Sequence, residues 1–238
     1  MSDVVDKKRV GPLSVEVWYD TDSNPRDDWD NATEMFCWMR QSNCGDGKKI
    51  NHYARPVDFV AAVLEKDVNE LEERWYNDDL QDAKGRWVFP LWIYAHGGMT
   101  ISMGPFGCRW DSGQVGYISI TEKSLKDCMG ETKFDEATAE ERREHARKVC
   151  EGEVKDYDDC LQGNIYGFTV YDEDRNTLES CGGFYGDSDE AFKEGVSIAE
   201  SELEYRAKKK AEEQLRIDKL SAGFGQWVEE TRYAVQPA

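Results

Sequence analysis

His96, Ser102, Cys108, Asp111, Ser112 and Gln114 fall within one stretch of the chain, His96 to Gly116, together with six glycines and one proline. A thiol, an imidazole and a carboxylate are the residue types of a nucleophilic triad, in which the base takes the proton from sulfur and the carboxylate orients the base. His96, Cys108 and Asp111 are therefore the candidate catalytic residues. Ser102, Trp110, Ser112 and Gln114 are the candidate binding residues around them. Asp111-Ser112-Gly113 also matches the aspartic-protease triplet, but that mechanism needs two carboxylates sharing one proton, and the chain holds no second triplet. Thr100-Ile101-Ser102-Met103-Gly104 lacks the first glycine of a nucleophile elbow. The glycines have neither the Gly-Lys-Ser/Thr ending of a phosphate loop nor the spacing of a dinucleotide fingerprint. The same composition suits a long irregular hairpin. On that reading Trp110 and Phe106 anchor the loop in the core, while Asp111 and Ser112 bond backbone amides in an Asx-type turn. Asp111→Ala would then cost roughly 1–3 kcal/mol.

Metal chemistry has less to draw on. Asp20-Thr21-Asp22-Ser23-Asn24 opens like a calcium loop, whose sixth position needs Gly and whose twelfth needs Glu. Here those positions are Pro25 and Asn31, so an EF-hand is excluded and the weaker metal candidates are Asp27, Asp28 and Asp30. The bland alternative is a surface turn rich in Asx residues. Zinc ligands come in close pairs because one short turn must present two side chains to one ion. The seven cysteines are never closer than Cys37 and Cys44, and His52, His96 and His145 are scattered. No cofactor is expected.

The elements that must position these residues follow from periodicity. Leu13, Val15, Val17 and Tyr19 alternate with Ser14, Glu16 and Trp18, which predicts a strand over 13–19. Asp20 to Asn31 is turn chemistry, Met35 to Met39 a buried strand, and Asn43 to Gly47 another turn. A helix is expected from Pro56, with Val60, Val63, Leu64, Val68, Leu71 and Trp75 on one face, followed by a polar connection from Asp78 to Gly85. Trp87–Ala95, the most apolar run, predicts a central strand, and Val115–Thr121 a second. Thr138-Ala139-Glu140-Glu141 has capping-box spacing and opens a helix with Ala146, Val149, Cys150, Val154, Tyr157 and Leu161 as its apolar stripe. Gly152 interrupts that stripe and predicts a break. Ile165–Tyr171 and Thr177–Cys181 read as a hairpin turning at 172–176. From Asp187 a long helix runs to Leu220, with Phe192, Val196, Ala199 and Leu203 facing inward.

These elements predict an α+β fold: a mixed, largely antiparallel sheet with helices packed on one face and a long C-terminal helix. With no internal repeat or low-complexity linker, a single domain is expected over 1–222, with the long helix at 187–220 and a loosely attached tail at 223–238.

Composition limits the partners. Lysine and arginine number 30 against 49 aspartates and glutamates, giving a net charge of −19. Such a chain repels phosphate and anionic lipid, so neither direct nucleic-acid binding nor membrane binding is expected. Lys208-Lys209-Lys210 is flanked by acidic residues and reads as a solvated helix face. Eight Trp, 11 Tyr and 9 Phe are more than a disordered acidic chain carries. No run of 18 apolar residues is present, and Met1 to Gly11 lacks the apolar stretch of a secretory signal. An odd number of dispersed cysteines points to a reducing compartment.

Tyr94-Ala95-His96-Gly97-Gly98-Met99-Thr100-Ile101-Ser102, followed by Pro105-Phe106-Gly107-Cys108-Arg109-Trp110-Asp111-Ser112-Gly113-Gln114-Val115-Gly116-Tyr117-Ile118, resembles a family of uncharacterised bacteriophage proteins. Asn24 to Asn31, Glu153 to Tyr157, Gly163 to Phe168 and Cys181 to Gly186 share the resemblance, which leaves out the long C-terminal helix. It implies a phage genome and the cytoplasm of an infected host bacterium, and it assigns no functional residue. The expected function is that of a phage accessory protein that binds another protein. A host or defence nucleic-acid-binding protein is one such partner, because dense carboxylates can imitate a phosphate array in a basic groove; the bland alternative, which outweighs it, is a solvated acidic surface that keeps the protein soluble. The alternatives are a small hydrolase using the 96–116 segment and a structural or morphogenetic phage protein.

Overall fold

The computed structural model describes residues 3–37, 44–46, 58, 61, 67–71, 80–81 and 85–234. The fold is α+β with two antiparallel sheets, so the expected strands form but divide between them. The chain also separates into two compact units where the sequence suggests one domain. One unit comprises the residues up to Trp18, Tyr166–Gly182 and the chain from Ser188; the other comprises Tyr19–Ile165 and Gly183–Asp187.

The first unit is built on strands β1 (Val4–Val10), β2 (Leu13–Tyr19), β8 (Ile165–Tyr171) and β9 (Thr177–Tyr185), in the order β1-β2-β8-β9. Strand β1 pairs with β2 across Gly11-Pro12, with Val10 opposite Leu13 and Gly11 at φ +60. Leu13, Val15 and Val17 are fully buried, as their alternation demands. Glu16, also buried, is held by Lys7 and by Arg175, whose Nη1 lies 2.9 Å away. Helix α6 (Ser188–Ala234) packs its first turns here through small residues, Ala191, Gly195 and Ala199. A Cβ on Gly195 would stand 2.7 Å from Val15 Cγ1, so the helix backbone lies directly on the side chains of the sheet. Phe192, Val196 and Leu203, the expected inward residues, are half-buried along the margins of that contact. The helix continues past the expected end at 220 and takes in 223–234, placed in the tail by the sequence reading. Residues 207–222 are exposed on every side.

The second unit contains α1 (Pro25–Asp28), β3 (Thr33–Cys37), α2 (Val68–Leu71), β4 (Leu80–Gln81), β5 (Arg86–Ala95), β6 (Met99–Ser102), β7 (Ser112–Thr121), α3 (Glu122–Met129), α4 (Glu131–Glu136) and α5 (Ala139–Gln162). Its sheet runs β3-β7-β5-β4, with β6 also paired to β5. Trp87, Phe89, Leu91 and Ile93 of β5 point to one face and pack with Ala146, Cys150, Val154 and Tyr157 of α5. Fully burying such a side chain stabilises by about 1.5–3 kcal/mol, and this repeated contact fixes α5 on the sheet. The capping box at Thr138 and Glu141 forms as its spacing predicts, and Gly163 ends the helix at φ +75. Gly152 does not break α5. Its cost of about 1 kcal/mol relative to alanine is smaller than the burial on either side. The turn expected over 20–31 contains one helical turn, α1, capped by Asn24. The helix expected from Pro56 lies outside the described residues, apart from positions 58 and 61 and α2. Trp38 and Met39 of the expected second strand also lie outside them.

Candidate functional site

Strands β5 and β7 run side by side up to Tyr94 opposite Ser112. Between them the chain turns at Gly97-Gly98, returns along β5 as β6 and reaches β7 through 103–111, and this whole stretch is the 96–111 loop. Ala95 N donates to Asp111 O at 2.8 Å, and His96 N to Gly98 O at 3.1 Å, with Gly97 at φ +74. The loop is thus closed at its base by main-chain bonds.

The structure brings the three catalytic candidates together. His96 Nδ1 lies 3.3 Å from Asp111 Oδ2, and Cys108 Sγ donates to the same oxygen at 3.6 Å. The order of the groups is the obstacle to catalysis. A thiol nucleophile needs the imidazole next to sulfur and the carboxylate behind the ring, whereas here the carboxylate stands between them. The constellation therefore ties the loop and sets the thiol against the carboxylate, not against the imidazole.

The anchoring expected for this loop is corrected. Trp110 is 95 % exposed, so it anchors nothing in the core. Phe106 is half-buried against Tyr94, with ring centroids 5.9 Å apart, and Tyr94 also stacks on His96 at 6.4 Å. Asp111 takes side-chain donors, and Ser112 Oγ donates to the Cys108 carbonyl, so the expected Asx-type turn does not form. Ser102 Oγ donates to Gly104 O within the loop. Gln114 is half-buried, with both its amide nitrogen and oxygen buried without a hydrogen-bond partner. Because Asp111 sits in a half-exposed pair, Asp111→Ala is expected to lower stability by no more than about 1 kcal/mol. Thermal melts check this, and a loss of several kcal/mol would point to a buried role.

Asp27 and Asp28 serve the cap of α1. Asn24 N donates to Asp28 Oδ2 at 2.7 Å and Asn24 Nδ2 to Asp27 Oδ2 at 2.9 Å. Among the described residues no group of three or more His, Cys, Asp or Glu side chains, Asp30 included, is arranged to hold a metal ion.

The most elaborate polar cluster is one that residue types alone do not reveal. Arg26, its side chain 1 % exposed, forks onto Asp46 with Nε–Oδ1 and Nη2–Oδ2 both at 2.9 Å. Its remaining donors reach Glu153 Oε2 at 2.6 Å, Thr33 Oγ1 at 3.3 Å and Thr33 O at 3.0 Å. All five guanidinium hydrogens are therefore used. Asp46 also accepts from Met35 N, and Glu153 from Ala32 N and Thr33 Oγ1. Saturated in this way, the cluster is a lock joining α1, β3 and α5. Arg26 from the 24–31 stretch and Glu153 from α5 meet in it.

Comparison of the chain with protein-family models, with curated proteins and with solved structures finds no match. No helix among the described residues is long and apolar enough to cross a membrane.

Proposed function

We propose that this chain acts by binding another protein, with the 96–111 loop as its anchor, as a phage accessory protein in the cytoplasm of an infected bacterium. The observation that supports this reading is Trp110, 95 % exposed on a loop tied down at its base. A large aromatic surface held in water by a fixed loop gains by entering a partner's pocket, and Trp is enriched among the residues that dominate binding energy. The net charge of −19 favours a basic partner, as a host or defence nucleic-acid-binding protein would be, by raising the rate of encounter. The hydrolase alternative is disfavoured by the carboxylate between Cys108 and His96.

The test is affinity capture from infected cells with the parent and Trp110→Ala proteins, followed by calorimetry with the purified partner. Trp110→Ala is expected to weaken binding by about 2 kcal/mol or more, some 30-fold. Its melting should stay within about 0.5 kcal/mol of the parent. An unchanged affinity would remove Trp110 as the anchor and this reading with it.

A further inference from the structure

We propose that Cys37 and Cys44 are a peroxide-oxidisable pair that closes into a reversible disulfide at the end of β3. Phe36 and Gly45 form an antiparallel bridge, and Asp46 N donates to Met35 O at 2.9 Å. The next residues outward on that ladder, Cys37 and Cys44, therefore face each other. Side chains directly opposite across antiparallel strands have their Cβ atoms about 4.5–5.5 Å apart, and a disulfide needs about 3.5–4.5 Å, so a small approach suffices. Gly45 clears the space: a Cβ there would stand 3.3 Å from Cys37 Sγ.

The two thiols also differ in the way a nucleophile and its resolving partner must. A hydrogen bond with Cys44, together with burial, holds the Cys37 thiol well above its ordinary range. The same bond, with help from the Tyr157 hydroxyl and the Gly45 backbone, lowers the Cys44 thiol despite burial. Tyr157 is itself fixed by a 2.8 Å bond from Gly45 N. Cys44 is 4 % exposed and Cys37 half-buried, so a small oxidant is required. Hydrogen peroxide fits that description. Cys150 offers no such reactivity, since burial in the core pushes its thiol far up.

The chemistry balances as follows. The Cys44 thiolate attacks one peroxide oxygen and the O–O bond breaks. Cys44 becomes a sulfenic acid, and the departing hydroxide takes up the former thiol proton as water. The Cys37 sulfur then attacks the Cys44 sulfur. An S–S bond forms, the S–O bond breaks, and the hydroxyl leaves with the Cys37 proton as a second water. Two thiols lose two electrons, and one peroxide is reduced to two waters.

The test treats the full chain with a few equivalents of hydrogen peroxide, blocks the remaining thiols by alkylation and maps the peptides by mass spectrometry. The expected result is a linked Cys37–Cys44 peptide that dithiothreitol separates, with Cys150 alkylated only after denaturation. Cys37→Ser, which removes the resolving sulfur, should leave Cys44 as a sulfenic acid captured by dimedone. Cys44→Ser should abolish that adduct. Two unlinked thiols after treatment, or a different pairing, would overturn the proposal. Circular dichroism on both variants controls for folding, and the parent protein's linkage decides if either is unfolded.

Discussion

Replacing Arg26 by alanine is expected to destabilise the second unit by about 3–5 kcal/mol, the range for removing one partner from a buried ion pair. The size follows from what remains behind. Asp46 and Glu153, 14 % and 16 % exposed, would lose the cation between them. Among the described residues they would keep the Met35 and Ala32 amides and the Thr33 hydroxyl as donors. Two largely buried carboxylates would then lose the cation they share. Arg26→Lys should recover little. Lysine presents a point charge and cannot fork onto Asp46 while also reaching Glu153 and the Thr33 carbonyl. Urea unfolding followed by tryptophan fluorescence measures the loss. In a thermal scan it corresponds to a fall of about 6–20 °C, at 2–4 °C per kcal/mol for a unit of this size. A loss below 1 kcal/mol would mean that the cluster is open to water.

Gly116→Ala is expected to be still more damaging, with a loss above about 3 kcal/mol or no soluble product. A Cβ at Gly116 would lie 1.7 Å from Phe36 O, 2.7 Å from Phe36 C and 2.9 Å from Cys37 Cα. All three atoms are backbone of β3, which pairs with β7 at Cys37 opposite Gly116. No rotamer change relieves such a clash; the two strands must separate. Gly107→Ala is the control. It belongs to the same glycine-rich stretch, but its Cβ would meet nothing within 4 Å, so its effect should stay within about 0.5 kcal/mol. Chemical denaturation of the two variants side by side would test the contrast, and equal effects would refute it.

These two glycines show where residue-level reading stops. In the sequence they are equivalent members of a flexible segment, and flexibility suggests a site loop. In the folded protein Gly116 is a packing residue inside the sheet, and Gly97 supplies a positive φ at the turn out of β5. The others near the tip are unconstrained by neighbours. The same limit applies to Trp110. A tryptophan between two glycine-rich runs reads as a core anchor because most tryptophans are, yet this one is solvent-exposed. The convergence of His96, Cys108 and Asp111 was legible as a set of residue types. Their order in space was not, because spacing in a loop of this length does not dictate which side chain stands between the other two.

Local chemistry by itself determined the elements. Alternation at Leu13–Tyr19 and the apolar run at Trp87–Ala95 specify strands, and Thr138 with Glu141 specifies the start of α5. Each depends only on residues a few positions apart, whose geometry is set by the backbone period and by caps. Tertiary structure alone decided that the strands divide between two sheets, and that Arg26 meets an aspartate 20 residues away and a glutamate 127 residues away. It also set Cys37 across from Cys44. The physical reason is that these contacts depend on strand partners and on burial. A buried guanidinium has to find every one of its acceptors wherever the chain brings them, and no local pattern records where that will be.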